Sequence, residues 1–462
     1  MEALSVLPPL VAIFIVVWRK EVILALFLAI LTSELLLVAS PGVSLPLTGL
    51  LNSLERVTTV FTDAGNSRIL IFSLMIGALL AFIRVSGGMT AMVGLLINSG
   101  LARGQRSVSA LTSLTGMVVF IESNLSVLTA GILSRGLFDK YGMSRARLAY
   151  IIDSTSAPVC ILILLNGWGA YILALLAGYD LKLSPAEILW GTVPLNFYAL
   201  VTLAIVFYTA YTGRVHGPLK AAEARMDTGD SSAIPEHAPT KARFMVVPLL
   251  VMVLGMVSFM YWTGDGDLSK GSGSKSVLYA TALACLTGYI MMLMSRKFGH
   301  SQLVKISFDG MGELLPLVTI VLFSLALGAS LKQLGTGIFI AGLVGDFLPL
   351  YLVVPMLFIA GGLMSFTTGT SWGTFAILIP LGVPLINELG LPPSLVLSAI
   401  MGGGVFGDHC SPISDTTAVS AIASGCDLLE HVRTQLPYAL TAGGDQSDPL
   451  YYRQYNYDLA GF

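Results

Sequence analysis

The stretch Gly402-Gly-Gly-Val-Phe-Gly-Asp408-His-Cys-Ser-Pro-Ile-Ser-Asp415-Thr-Thr417 sets two carboxylates among glycines and a proline inside an otherwise apolar region. Glycine permits unusual dihedrals and proline removes a helical hydrogen bond, so the segment predicts a helix unwound at Asp408. In lipid such a break persists only where it lines a cavity or is buried in protein. Freed carbonyls and hard carboxylate oxygens there suit Na⁺ and H⁺. If helix resumes at once, Asp408, Ser411 and Asp415 fall at i, i+3 and i+7 on one face, with Thr416 and Thr417 beside them.

The surroundings are those of a membrane protein. Of 462 residues, 55% are hydrophobic and 11% charged, where a soluble domain carries about a quarter charged residues. The runs Leu4 to Trp18, Val22 to Ala39, Ile69 to Val85, Tyr198 to Tyr211, Phe244 to Trp262 and Val277 to Met294 approach the length that spans a bilayer. They are continuous rather than alternating, which excludes an outer-membrane barrel. The expected fold is all-α: a polytopic transmembrane protein with two structural repeats and broken or re-entrant helices. Arg19 and Lys20 follow the first run and no small-residue cleavage site is evident, so that run reads as an uncleaved helix.

Net charge is −2 and no basic stripe exists, so no nucleic-acid partner is expected. Cys160, Cys285, Cys410 and Cys426 form no paired pattern and read as small buried residues. No HExxH, P-loop or GxSxG motif supports an enzyme or an ATP-driven pump. A zinc site from His409, Cys410, Cys426 and His431 has suitable ligand types without the usual tight spacing.

Lys and Arg cluster at Arg19 to Lys20, Arg103 to Arg106, Arg135 to Arg147, Arg214 to Arg243 and Arg296 to Lys305, which assigns those loops to the cytoplasm and the N-terminus to the outside. The expected layout is an N-terminal transmembrane half at 1–212, a polar cytoplasmic linker at 213–243, a C-terminal half at 244–442 and an atypical polar tail at 443–462. The halves echo one another weakly: Gly77-Ala-Leu-Leu with Gly87-Gly-Met-Thr-Ala, against Gly328-Ala-Ser-Leu with Gly335-Thr-Gly-Ile. Paired halves with interrupted polar segments point to a transporter's binding site.

Four polar islands follow apolar runs: Phe120-Ile-Glu122-Ser-Asn, Asp153-Ser154-Thr155-Ser-Ala-Pro, Phe366-Thr-Thr-Gly-Thr370-Ser371-Trp, and the opening stretch. An uncompensated charge at mid-bilayer costs at least about 2.5 to 3.5 kcal/mol, so Glu122, Asp153, Asp408 and Asp415 need water, an ion or a partner. Glu122, Ser126 and Thr129 share a helical face, with Asn124 on the neighbouring one. Hydroxyls elsewhere serve equally as interhelical hydrogen bonds. His409 reads either as a pH sensor or as a structural donor.

Arg145-Ala-Arg-Leu-Ala-Tyr-Ile-Ile-Asp153-Ser-Thr-Ser-Ala-Pro158, Thr368-Gly-Thr-Ser-Trp-Gly-Thr-Phe375, Gly407 to Thr417, Cys426-Asp and His431-Val-Arg-Thr-Gln-Leu-Pro437 together resemble the NhaC family of sodium/proton antiporters. The resemblance spans residues 70 to 440. It implies coupling to Na⁺ or H⁺, alternating access, and a central region lined by Asp153, Ser371, Asp408, Ser411 and Asp415. The expected function is Na⁺/H⁺ exchange, with Na⁺ and H⁺ as cargo, no cofactor, and Asp408 and Asp415 as candidate Na⁺ ligands. Glu122, Ser154, Thr155, Thr370 and Thr416 complete the candidate ion and substrate set. The alternative is an ion-coupled carrier of a small organic carboxylate or amino acid; a passive channel or receptor is the third reading. The bilayer of a bacterial inner membrane is the expected surrounding, and a homodimer stays open.

Overall fold

A computed structural model describes residues 2–38, 45–88, 90–92, 95, 103–120, 122–177, 179, 181–225, 240–267 and 271–444. Five expected features fall partly outside these: the linker at 226–239, the tail at 445–462, the first half-echo at Met89, the second apolar run at Ala39 and the first polar island at Ile121. Among the described residues the protein is helical and no strand occurs. Among the described residues seven helices are long and apolar enough to cross a membrane, and an eighth span is formed if 145–162 and 167–176, bent by 41° at the break between them, count as one.

Local chemistry sets the helix ends. Asp63, Ser144, Asn196 and Ser414 each accept from a backbone N–H three residues on, filling donors that a first turn leaves open. Pro8 and Pro9 are the second and third residues of Leu7–Arg19, in the first turn, where N–H groups have no helical acceptor and their absence costs little. Within the run predicted from Val22 to Ala39, the helix Val22–Val38 carries a buried Glu34. Its Oε1 accepts from Arg56 Nε (2.6 Å) and Ser330 Oγ (2.8 Å), so the charge is paired.

Leu350–Thr368 packs along Pro393–Cys410, and the pair corrects one expectation. Pro393–Cys410 runs unbroken through all four glycines and through Asp408; the chain leaves helix only at 411–414. The glycines serve contact instead. A Cβ on Gly403 would lie 2.3 Å from the Phe358 carbonyl oxygen, and one on Gly407 would lie 2.1 Å from that of Gly362. Small residues of this kind let helix backbones approach in membranes. Because the break follows Cys410, Asp408 and Asp415 belong to two helices and do not share one helical face.

The beginning of the expected linker is ordered and docked. Helix Gly217–Arg225 buries Leu219 and Ala222, and Glu223 accepts from Ser144 N (3.1 Å), Ser144 Oγ (2.6 Å) and Arg147 Nη1 (3.2 Å).

Candidate functional site

Among the described residues four helix interruptions build the site: Val119, Phe120 and Glu122 before Ser123–Lys140, 155–156 after Arg145–Ser154, 369–370 between Leu350–Thr368 and Ser371–Leu389, and 411–414 before Asp415–Ser424. Each frees backbone groups that need partners when buried. Side chains supply several. Asn166 Nδ2 (3.0 Å) and Cys160 Sγ (3.2 Å) donate to the Phe120 carbonyl, and Ser126 Oγ donates to Gly116 O (2.7 Å). Ser411 Oγ donates to Phe366 O (2.8 Å), tying the last interruption to the third. Gly369 is left-handed (φ 69°), and a Cβ there would lie 2.4 Å from Ile413 O, so two of the interruptions touch.

Asp408 lies buried near the end of its helix. Its Oδ2 accepts from Ser371 Oγ (3.2 Å) and Thr416 Oγ1 (3.4 Å), one from the helix before it and one from the helix after. Its Oδ1 has no hydrogen-bond partner, and no ion pair reaches it among the described residues. Ser371 Oγ stands equally close to Gly404 O (3.2 Å), and its single proton serves one acceptor at a time. One carboxylate, two hydroxyls and a carbonyl therefore converge, an all-oxygen set of the kind that binds Na⁺ or exchanges a proton.

Two further acids stand nearby. Asp415 opens its helix, exposed, with Oδ1 accepting from Thr416 N (2.9 Å), and its charge is within Coulombic reach of Asp408. Half-buried Glu122 caps Ser123–Lys140, accepting from Asn124 N (3.0 Å) and Leu125 N (2.7 Å). Glu122 and Asp415 lie within Coulombic reach of each other, so the first and fourth interruptions adjoin.

Asp153 is placed differently. Wholly buried, its Oδ2 accepts from Gln435 Nε2 (2.7 Å) and faces His431 Nε2 (3.2 Å), while Gln435 Nε2 also reaches His409 O (3.1 Å). Tyr198 OH and His409 Nδ1 lie 2.9 Å apart beside them. Asp153 thus sits in a histidine-lined cluster adjoining the Asp408 oxygens, and Ser154 lines the same cluster. Thr155 Oγ1 donates back to Ile151 O (2.7 Å) of the helix it follows, and the Thr370 carbonyl accepts from Thr374 Oγ1 (3.1 Å). Of the expected residues, then, Ser371, Asp408 and Thr416 meet directly, Asp415 and Glu122 adjoin, and Ser411 turns to the backbone.

Sequence reasoning passed over the Gly404 carbonyl, Tyr198 and Gln435, and weighed His431 only as a zinc ligand. His431 and Gln435 stand at i and i+4 of Leu428–Gly444 and so share one buried face, a spacing available in the sequence. Among the described residues, no three His, Cys, Asp or Glu side chains are arranged to hold a metal ion.

Comparison with known proteins gives matches to transporters. The model of the Na⁺/H⁺ antiporter family matches residues 159–444. An uncharacterised protein of Haemophilus influenzae is 30% identical over 486 aligned positions, covering 99% of this chain and 92% of that one. The malate-2H⁺/Na⁺-lactate antiporter of Bacillus subtilis is 41% identical over 80 residues, 17% of each chain. The crystal structure of the YdaH transporter of Alcanivorax borkumensis superimposes with a TM-score of 0.62 at 14% identity, over 96% of this chain and 98% of that one, a likeness of fold.

Proposed function

Because the chain belongs to the Na⁺/H⁺ antiporter family, and so is a multi-pass membrane protein and a secondary transporter rather than an enzyme, we propose that it exchanges Na⁺ for H⁺ through Asp408. The supporting observation is the Asp408 carboxylate itself: buried, hydroxyl-bonded on one oxygen, open on the other, and without a basic partner among the described residues. A bare charge in that position is costly, so the carboxylate is stable with a cation or with a proton. The two ligands therefore compete for one site. Ser371, Thr416 and Gly404 O would complete the Na⁺ shell, with Asp415 and Glu122 drawing cations toward it. The halves 1–212 and 244–442 would expose the site alternately to the two sides of a bacterial inner membrane, with the N-terminus outside.

The test is reconstitution in liposomes with a pH-sensitive dye inside. A Na⁺ pulse should alkalinise acid-loaded vesicles, Asp408→Asn should abolish the signal while the protein still folds, and normal exchange by that variant would remove Asp408 from the mechanism. A second reading, exchange of a small organic carboxylate coupled to Na⁺ or H⁺, is supported by the Bacillus relative, whose name records malate and lactate. Counterflow of labelled lactate in the same vesicles separates the two readings.

A further inference from the structure

The exchange proposed above leaves one buried carboxylate beside the site without a task. Asp153, the penultimate residue of Arg145–Ser154, and His431, on Leu428–Gly444, both have side chains closed off from solvent. The two helices meet through them, through Gln435, and through Tyr150 and Tyr438, whose ring centroids stand 4.5 Å apart.

Hydrogen-bond chemistry fixes where the protons of this cluster already are. An ionised Asp153 only accepts, so His431 Nε2, 3.2 Å from its Oδ2, carries the hydrogen toward it. Gln435 Nε2 stands between two acceptors, Asp153 Oδ2 (2.7 Å) and His409 O (3.1 Å), which sets the amide with its nitrogen inward. Three buried atoms are then left without a hydrogen-bond partner: His431 Nδ1, Asp153 Oδ1 and Gln435 Oε1. All three are acceptors while the histidine is neutral. The cluster is short of a proton, and the vacant lone pair on His431 Nδ1 is its basic nitrogen.

The same partners suit a proton and not a metal cation. Two N–H groups point at Asp153 Oδ2, whereas Asp408 is met by hydroxyls that can turn a lone pair to an ion. Among the described residues no lysine or arginine pairs with Asp153, and Arg145 and Arg147, at the opposite end of its helix, are held by Asp139 and Glu223. The other titratable groups facing it, besides Tyr150 and Tyr438, are Asp408 and His409 from Pro393–Cys410, Asp415 from Asp415–Ser424 and Tyr198 from Phe197–Thr212, all within Coulombic reach. Two carboxylates against one imidazole make these surroundings favourable to a further positive charge.

We propose that Asp153 and His431 form a proton-binding site distinct from the Asp408 oxygens. The proton adds to His431 Nδ1, the imidazolium so formed pairs with Asp153, and no other bond changes. Without the proton the pair is a buried carboxylate held by two hydrogen bonds; with it the charges cancel, the less costly state inside a membrane. Because the two partners belong to different helices, the bound proton also ties Arg145–Ser154 to Leu428–Gly444. This proton is one that exchange at Asp408 does not use, and the inference stands without that reading.

The test is thermal unfolding of the purified full-length protein in detergent at a series of pH values between about 5 and 8, the range in which histidines change charge. His431→Gln keeps an N–H for Asp153 and cannot take the proton. If the folded protein binds that proton, wild type should gain on the variant as pH falls, the gap in melting temperature widening by several degrees, because acid favours the state that holds more protons. A histidine buried in its neutral form would give the opposite sign, since only the unfolded chain would then take the proton. Asp153→Asn, which removes the partner charge, should show the same widening gap, and it decides the matter if His431→Gln fails to fold. A gap that stays constant or narrows toward acid would overturn the proposal. The Na⁺ pulse on the same preparation keeps the readings apart: a widening gap without exchange removes the Asp408 reading alone, and exchange with a constant gap removes this inference alone.

Discussion

Gly407→Ala measures how closely the fold and the proposed ion site are joined. Its added methyl would stand 2.1 Å from Gly362 O and 2.8 Å from both Phe366 N and Ser365 Cβ. Carbon and carbonyl oxygen approach no closer than about 3.3 Å, so the two helices must part by about 1 Å. The obstacle is backbone and cannot rotate aside, which puts the cost at the upper end of overpacking, about 3 kcal/mol. The same shift moves the neighbouring Asp408 by a distance that breaks its 3.2 Å bond from Ser371. A displacement of that size at a working group costs on the order of 10²-fold in rate. Melting in detergent should therefore fall by several degrees, and vesicle exchange should fall with it. Gly312→Ala is the control: nothing lies within 4 Å of a Cβ there, in the last turn of His300–Glu313, so stability should hold or rise by about 0.4 to 1 kcal/mol. Wild-type melting and exchange by Gly407→Ala would refute the steric account of the glycine face.

Ser371→Ala removes one neutral hydroxyl from Asp408 and should raise the half-saturating Na⁺ concentration about 2- to 12-fold, the equivalent of 0.5 to 1.5 kcal/mol, with the maximal rate kept; initial rates against Na⁺ concentration check this. Gln435→Leu takes the shortest donor from buried Asp153 and should cost about 1.5 to 3 kcal/mol in thermal unfolding; an unchanged melting curve would show that this hydrogen bond carries no weight.

The membrane architecture was legible because a bilayer demands long apolar runs, and helices such as Arg243–Thr263 and Gly273–Met294 bracket the runs read from sequence within a few residues. Polar islands were legible for the same reason: Glu122, Asp153, Asp408 and Asp415 stand out against lipid. What each carboxylate touches was not. Asp153 meets His431 and Gln435 from 278 and 282 residues away, and Asp408 meets Ser371 across 37, pairings that only tertiary packing decides. The glycines at 402–407 misled because local dihedral freedom and close helix contact demand the same residue, and only the partner helix distinguishes them. Glu34 escaped notice because its compensation by Arg56 and Ser330 comes from elsewhere in the chain.

Two buried guanidinium groups hold the start of Arg145–Ser154. Arg145 grips Asp139 with two bonds (2.8 and 2.6 Å) and Ser424 O with a third (2.7 Å), while Arg147 reaches Glu223 and Thr209 O. The far end, just past Asp153, dissolves into the interruption at 155–156. Mechanically this is a beam held at both ends by different means: the root is clamped by guanidinium groups, and the tip is held through the one carboxylate that Gln435 and His431 share. A change in charge at the tip therefore acts on the end that no arginine clamps.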